Sequence, residues 1–387
     1  MVLLVVFSIG LFVNEGAQAK DELKLPSVLR IWTYGTGSTG YYCSMGMAPS
    51  ISKLTGMTVR VIPGGTGMGR LSALIRGEGE LLLVSSSSYW CASRGYLDYA
   101  DPKWGPQKLR LVYGGQSFNM GVMVRGDSGI KVMSDLKGKR FPYTPGNPTG
   151  NLFQEAYLAF GGLTWKDVKV IKIGSWSDAM RSVVRGECDG TGTTFTTAAA
   201  RETAAGPHGI YYIPMPHKDK KAWARYQKVM PFSHPHMNTR GPGLSEKNPH
   251  EGNSYRQPYA AYADLPDDIA YAFAKAAYEG YDQFKDRHTD LVDFDQKCTI
   301  ENITDYSLPM HPGAIKFFKE IGKWTDKAQK WQEERLLVEK TIDALWYDAP
   351  MEAQKAGIKV GKKGWPEFWR QLSEKKLAGL KLRYAYP

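Results

Sequence analysis

Glycine, serine and threonine crowd five short stretches of this 387-residue chain: "GTGSTG" (35–40), "GGTGMG" (64–69), "SSSS" (85–88), "PGNPTG" (145–150) and "GTGTTFTT" (190–197). The first holds Gly35-x-Gly37-x-x-Gly40, the spacing of a dinucleotide-binding loop. Such a site also needs an acid at the end of the second strand to hold the ribose hydroxyls. No Asp or Glu occurs between Gly40 and Glu78, which argues against NAD. No G-x-x-x-x-G-K-[ST] run exists and no Lys lies in these loops, so nucleoside triphosphate chemistry is also unsupported.

What the loops offer is a neutral cradle. Glycine lets backbone N–H groups approach a ligand closely. Hydroxyls add donors and acceptors, and a helix N-terminus attracts an anion. Catalysis fits poorly, because there is no G-x-S-x-G elbow, no H-E-x-x-H and no histidine in the loops. Ser38 or Ser86 would lack a neighbouring base. Cys43 follows the first loop and reads as a structural thiol. Cys43, Cys91, Cys188 and Cys298 form no C-x-x-C pair, and their spacing leaves disulfides and free thiols equally open. "HPH" at 234–236 has no acidic or Cys partner at ligand spacing, so no metal is expected. Arg70, Arg94 and Arg125 are the candidate charge partners for an anion.

Four of the loops follow strand-like runs, "LRIWTY" (29–34), "TVRVIP" (58–63), "LLLV" (81–84) and "KRFPYT" (139–144), and a further run, "VKVIKIG" (168–174), precedes "SWSDAMRSVVRGE". Helix-compatible segments come next. Repeated strand–loop–helix units predict parallel sheets covered by helices. They fall into two modules, about 28–122 and 126–215, whose loops would face each other across a cleft. Residues 214–260 read as a loop-rich excursion. Asp264 is the expected cap of the helix that follows, with Asp267 and Asp268 in its first turn. Helices then continue to a Trp/Tyr/Lys-rich tail.

Residues 1–19 are apolar through Val13 and end Ala17-Gln18-Ala19, the pattern of a secretory signal peptide, although no Lys or Arg precedes the apolar run. Its removal takes away one acid, Glu15, and moves the net charge from +11 to +12. Residues 313–387 carry 16 Lys or Arg against 10 Asp or Glu. The signs alternate along "DKAQKWQEERLLVEK", which describes a solvated helical face and not a nucleic-acid surface.

"GTGSTGYYCSMGMAPSISKLTGMTVRVIPGGTG" resembles the opening of the TAXI group of solute-binding proteins of TRAP transporters. "MVRGDSGIKVMSDLKGKRF", "GGLTWKDVKV", "YADLPDDIAYAFAKAAYE" and "LPMHPGAIKFFKE" resemble later segments of that group, in the same order, over about residues 29–323. The resemblance implies an α/β type II periplasmic binding protein, two lobes joined by a hinge. Lobe 1 would be 20–124 and 255–325, lobe 2 125–254, and 326–387 a helical C-terminal extension. It implies an exported, periplasmic monomer without cofactor or enzymatic activity. It would capture a small carboxylated solute, an organic acid or amino acid, for the membrane subunits of an ion-gradient-driven permease. Carried over by position, the ligand contacts would be Ser38, Thr39 and Tyr42, then Gly65 and Thr66, then Ser86 and Ser87. The second lobe would add Asn147, Thr149 and Thr194, with Trp176 closing over the ligand. Two departures are "PGNPTG", where Pro148 removes an N–H donor, and the four serines in the third loop. Rival readings are an enzyme on the same scaffold, with His208 or His311 as base, and a sensor docking through its basic tail.

Overall fold

The structure is a computed structural model and describes residues 23–380 and 382. The expected leader at 1–19 and the chain end at 383–387 lie outside the described residues.

The first lobe begins with β1 (Val28–Tyr34), α1 (Thr39–Thr55), β2 (Thr58–Gly64), α2 (Gly67–Ile75), β3 (Leu81–Leu83), α3 (Ser86–Arg94) and β4 (Leu109–Ser117). In β1, Leu29, Ile31 and Thr33 are buried while their neighbours are half-exposed, as the two-residue strand period requires. Pro63 is tolerated in β2 because that strand lies at the sheet edge.

The chain then crosses to a second lobe. This contains β5 (Met120–Arg125), β6 (Arg140–Tyr143), α4 (Pro148–Phe160), β7 (Lys169–Lys172), α5 (Trp176–Val184), β8 (Gly190–Thr194), α6 (Ala198–Ala205) and β9 (Ile210–Ile213). The supposed loop-rich excursion instead holds α7 (Lys220–Val229), β10 (His234–Asn238) and β11 (His250–Ser254). β12 (Arg256–Tyr262) returns to the first sheet. After it come α8 (Asp267–Glu279), α9 (Tyr281–Phe284), α10 (Pro312–Glu320), α11 (Asp326–Lys355) and α12 (Trp365–Ala378). Asp264 does not cap α8. Pro266 takes that position, and Asp267 and Asp268 fill the first turn.

The first sheet has the order β2-β1-β3-β12-β4. β1 is parallel to β2 and β3, whereas β12 is antiparallel to β3 and β4. In the second sheet, ordered β10-β11-β5-β8 with β9 also on β5, the pairs are antiparallel, and β6 and β7 form a separate parallel pair. The first sheet is therefore mixed and the second antiparallel, not the parallel sheets expected, because the crossing strands β12 and β5 run against their neighbours. β5 pairs with β8 and β9. The first crossing thus lies at Phe118–Asn119, ahead of the division at 124/125 set from the sequence.

Two crossing segments lie side by side. Ser117 and Ser254 hydroxyls are 2.6 Å apart, and Phe118 N donates to Tyr255 O at 3.3 Å. Gly115 is required here, since a Cβ would stand 1.5 Å from Gln257 O. Each lobe has its own core. Leu29, Ile31, Leu83, Tyr113, Tyr259 and Phe273 belong to one, and Val122, Phe141, Tyr157, Ile213 and Tyr226 to the other. α11 and α12 complete the first core. Trp331 Nε1 donates to Tyr306 O (3.1 Å), Trp369 Nε1 to Arg94 O (2.9 Å), and Arg110 forms a bidentate pair with Glu339. The sheet order, the paired crossings and the separate cores make this the two-lobed type II periplasmic-binding-protein fold with a helical extension.

Candidate functional site

The polar loops sit at the strand–helix junctions, and most of their hydroxyls serve the following helix. Ser38 accepts from Tyr41 N (3.2 Å), Thr66 from Gly69 N (3.1 Å), Ser85 from Ser88 N (3.3 Å), Ser175 from Asp178 N (3.1 Å) and Thr197 from Ala200 N (3.2 Å). Each satisfies one of the four amides a helix start leaves unpaired. Asn147 precedes α4 without a side-chain capping bond, and Pro148 at the first helical position has no amide to satisfy.

The glycine spacing of the first loop has a packing cause. A Cβ on Gly35 would lie 2.8 Å from Ser177 Oγ, and one on Gly37 (φ +89°) 2.9 Å from Arg181 Nη2. Both neighbours belong to the second lobe. Ala198 N also donates to Gly37 O at 3.1 Å. These glycines let the lobes touch.

Between the lobes lies a cavity of about 30 Å³. Of the expected contacts, Gly65, Ser87, Asn147, Thr149 and Trp176 line it. Tyr34, Arg70, Ser85, Ser88, Phe153 and Tyr255 complete most of the wall. Ser85 Oγ lies 2.9 Å from both Ser87 and Ser88 Oγ, and Ser88 Oγ lies 2.9 Å from Thr149 Oγ1 across the interface.

Arg70 is the cation of this wall. It is buried, its Nη1 donates to Gly64 O (3.0 Å), and its guanidinium carbon lies 3.9 Å from the Tyr34 ring centre. Among the described residues no carboxylate pairs with it, and Nε has no hydrogen-bond partner. The Tyr99 hydroxyl is buried and, among the described residues, equally unpartnered. Burial draws the Arg70 pKa below the usual arginine value, opposed by the surrounding phenols of Tyr34, Tyr99 and Tyr255. Arginine still keeps its charge. A buried charge without a counter-ion is costly, so this arrangement calls for an anion. Arg94 instead lies over Trp90 (5.2 Å), and Arg125 pairs with Asp127 (3.3 Å). The sequence did carry a signal. Arg70 opens the second turn of α2, close to the positive end of the helix dipole, where a cation is disfavoured.

A second contact zone gathers other expected residues. Thr39 Oγ1 lies 2.9 Å from Thr196 Oγ1, and Thr196 donates to Asp290. Arg240 Nε is 2.9 Å from Asp290 Oδ1, and its Nη atoms grip Asp293. Asp290 is fully buried, and burial raises its pKa to about 6 against the opposing pull of Arg240 and Thr196. Tyr42 stacks on His288 with ring centres 5.9 Å apart. Ser86 is fully buried and donates to Arg256 O (2.8 Å). Thr194 is buried at the end of β8, paired with Met120. Ser38, Thr39, Tyr42, Thr66, Ser86 and Thr194 are therefore not brought to the Arg70 cavity.

His311 caps α10, accepting from Gly313 N (3.2 Å), and His208 Nδ1 pairs with Asp127 (2.6 Å). Cys91, Cys188 and Cys298 are free thiols, and all four cysteines are buried. Among the described residues no group of three or more His, Cys, Asp or Glu could hold a metal, and no helix is long and apolar enough to cross a membrane.

Residues 31–322 match the model of the NMT1-like family. This chain belongs to the NMT1-like family. The match runs from β1 to α10 and so takes in both lobes, Arg70 and the hinge, while α11 and α12 lie beyond it. Among solved structures, this NMT1-like protein is similar to one from Bordetella bronchiseptica RB50, at 15% identity and TM-score 0.46 over 77% of this chain and 98% of that one. It is also similar to the alkanesulfonate-binding protein SsuA from Xanthomonas axonopodis pv. citri bound to MOPS, at 13% identity and TM-score 0.40 over 80% and 84%. A third is PhnD1 from Prochlorococcus marinus (MIT 9301) in complex with methylphosphonate, at 14% identity and TM-score 0.41 over 77% and 100%. These likenesses are remote, and no residue role follows from them.

Proposed function

We propose that this NMT1-like protein is an exported, monomeric solute-binding protein that captures a small carboxylated solute between its lobes. The observation that carries this reading is Arg70, a buried guanidinium in the interlobe wall without an acidic partner among the described residues. A solute carboxylate would supply the missing charge. Ser85, Ser87, Ser88 and Thr149 would donate to its oxygens, and Asn147 and Trp176 would close from the second lobe. The Ser88–Thr149 contact shows that the two walls meet directly. A solute must part them, exchanging that hydroxyl pair for bonds to itself.

The resemblance to the TAXI group supports delivery to a TRAP-type permease driven by an ion gradient, and the signal-like residues 1–19 support a periplasmic location. An enzymatic reading finds less support. Among the described residues no Asp, Glu, His, Lys or Cys lines the cavity, and of its two phenols Tyr255 is held well above the usual tyrosine pKa by burial, a poor setting for general base catalysis.

Thermal-shift measurement with a panel of mono- and dicarboxylates and amino acids tests the proposal. A true ligand at ~100 times its Kd stabilises by about 2.7 kcal/mol. Absence of any shift across the panel, with no solute co-purifying by mass spectrometry, contradicts it.

A further inference from the structure

Resting on the receptor role proposed above, we propose that the solute is a monocarboxylate with an apolar body and no cationic group, so that amino acids are rejected.

Charge balance comes first. Among the described residues the cavity wall holds one cation, Arg70, and no acidic residue. One carboxylate neutralises it. An α-ammonium brought into the same space would be buried without a counter-charge, which is unfavourable unless a carboxylate accepts it. The acids nearest in the chain or the interface are already engaged. Asp178 accepts from Ser175 Oγ at 2.6 Å, Glu155 accepts from Trp165 Nε1 at 3.2 Å, and Asp290 is held by Arg240 and Thr196. A second carboxylate on the solute would likewise find no second cation in the wall.

Aromatic faces do not replace the missing acid. A ring face can hold an ammonium, but Arg70 covers Tyr34. Tyr255 packs against Phe153, with ring centres 4.7 Å apart, and against Phe118 at 5.2 Å. What these rings and Trp176 present is apolar surface, suited to a hydrocarbon or aromatic body. The wall thus divides into a polar end, made of Arg70 and the serine run, and an apolar end, made of Phe153, Trp176 and Tyr255. The solute's thickness would replace the direct hydroxyl contact between Ser88 and Thr149.

Matched pairs test this: 3-phenylpropionate against phenylalanine, and 4-methylpentanoate against leucine, with succinate as the dicarboxylate. Affinities are measured by calorimetry on the full exported chain. At least one amine-free acid binding tenfold or more tighter than its amino-acid counterpart, and tighter than succinate, supports the inference. An amino acid or succinate binding as tightly as the amine-free acids overturns it and leaves the receptor reading standing. No binding by these compounds or by the wider carboxylate panel overturns both.

Discussion

Ser88 Oγ and Thr149 Oγ1 lie 2.9 Å apart, one hydroxyl from each lobe, both buried. This contact joins the N-terminal turn of α3 to that of α4 and fixes how closely the lobes approach at the cavity. Ser88→Ala leaves the Thr149 hydroxyl with one partner fewer. The expected cost is about 1 kcal/mol of stability, read by urea denaturation. The unliganded protein should also occupy open states more often, seen as a larger radius of gyration in solution scattering. An unchanged radius together with unchanged stability would show that the contact does not hold the lobes.

Gly35 faces Ser177 so closely that a methyl group there would stand 2.8 Å from the Ser177 hydroxyl, which must turn away or be pushed back. Gly35 does not have a positive φ, so alanine strains only the approach of the lobes and not the loop itself. Gly35→Ala should weaken solute binding and favour the open form, with little loss of thermal stability. Adding Ser177→Gly should restore closure. If the double variant binds no better than the single one, the glycine serves some other purpose.

Asp290 gives a pH dependence of definite sign. Its folded pKa is about 6, raised mainly by burial, against an unfolded value of about 3.9. The folded state therefore holds this proton more tightly. The stability it contributes is full below about pH 4 and is lost as pH rises through about 6. The loss is on the order of 3 kcal/mol. Asp290→Asn removes this titration, so the variant's stability relative to the native chain should rise between pH 4 and 7. Parallel stability profiles over that range would contradict the assignment.

Trp369 is fully buried against the first lobe and donates to Arg94 O. Trp369→Ala should cost about 3–5 kcal/mol, measured as a fall in the denaturation midpoint. Such a loss marks α12 as part of the lobe's core. A change below about 0.5 kcal/mol, the usual range for a surface position, would mark it as a loose appendage.

The strands and helices that carry the loops were legible because apolar alternation and Gly/Ser/Thr junctions recur with little ambiguity. β10 and β11 were not. "HPHMN" and "HEGNS" are polar, short and partly exposed, so the two-residue period has few apolar residues to reveal it. The candidate contacts divide for a related reason. A hydroxyl at a strand–helix junction has the same sequence signature whether it caps its helix, as Ser38 and Thr66 do, or faces a cleft, as Thr149 does. Arg70 stood out only weakly among three arginines. Its importance depends on α2 turning that side chain inward against Tyr34, which requires the packed fold.

Arg70→Met keeps the length of the side chain and removes its charge. Replacing a buried, uncompensated ion by an apolar group is often neutral or stabilising, by about 1–4 kcal/mol. The decisive measurement is calorimetric titration of a carboxylate ligand into the native chain and into Arg70→Met, alongside the stability of each without ligand. The account predicts an affinity loss of 30-fold or more, corresponding to about 2–5 kcal/mol, in a variant at least as stable as the native chain. Carboxylate affinity unchanged in a folded Arg70→Met protein would contradict it.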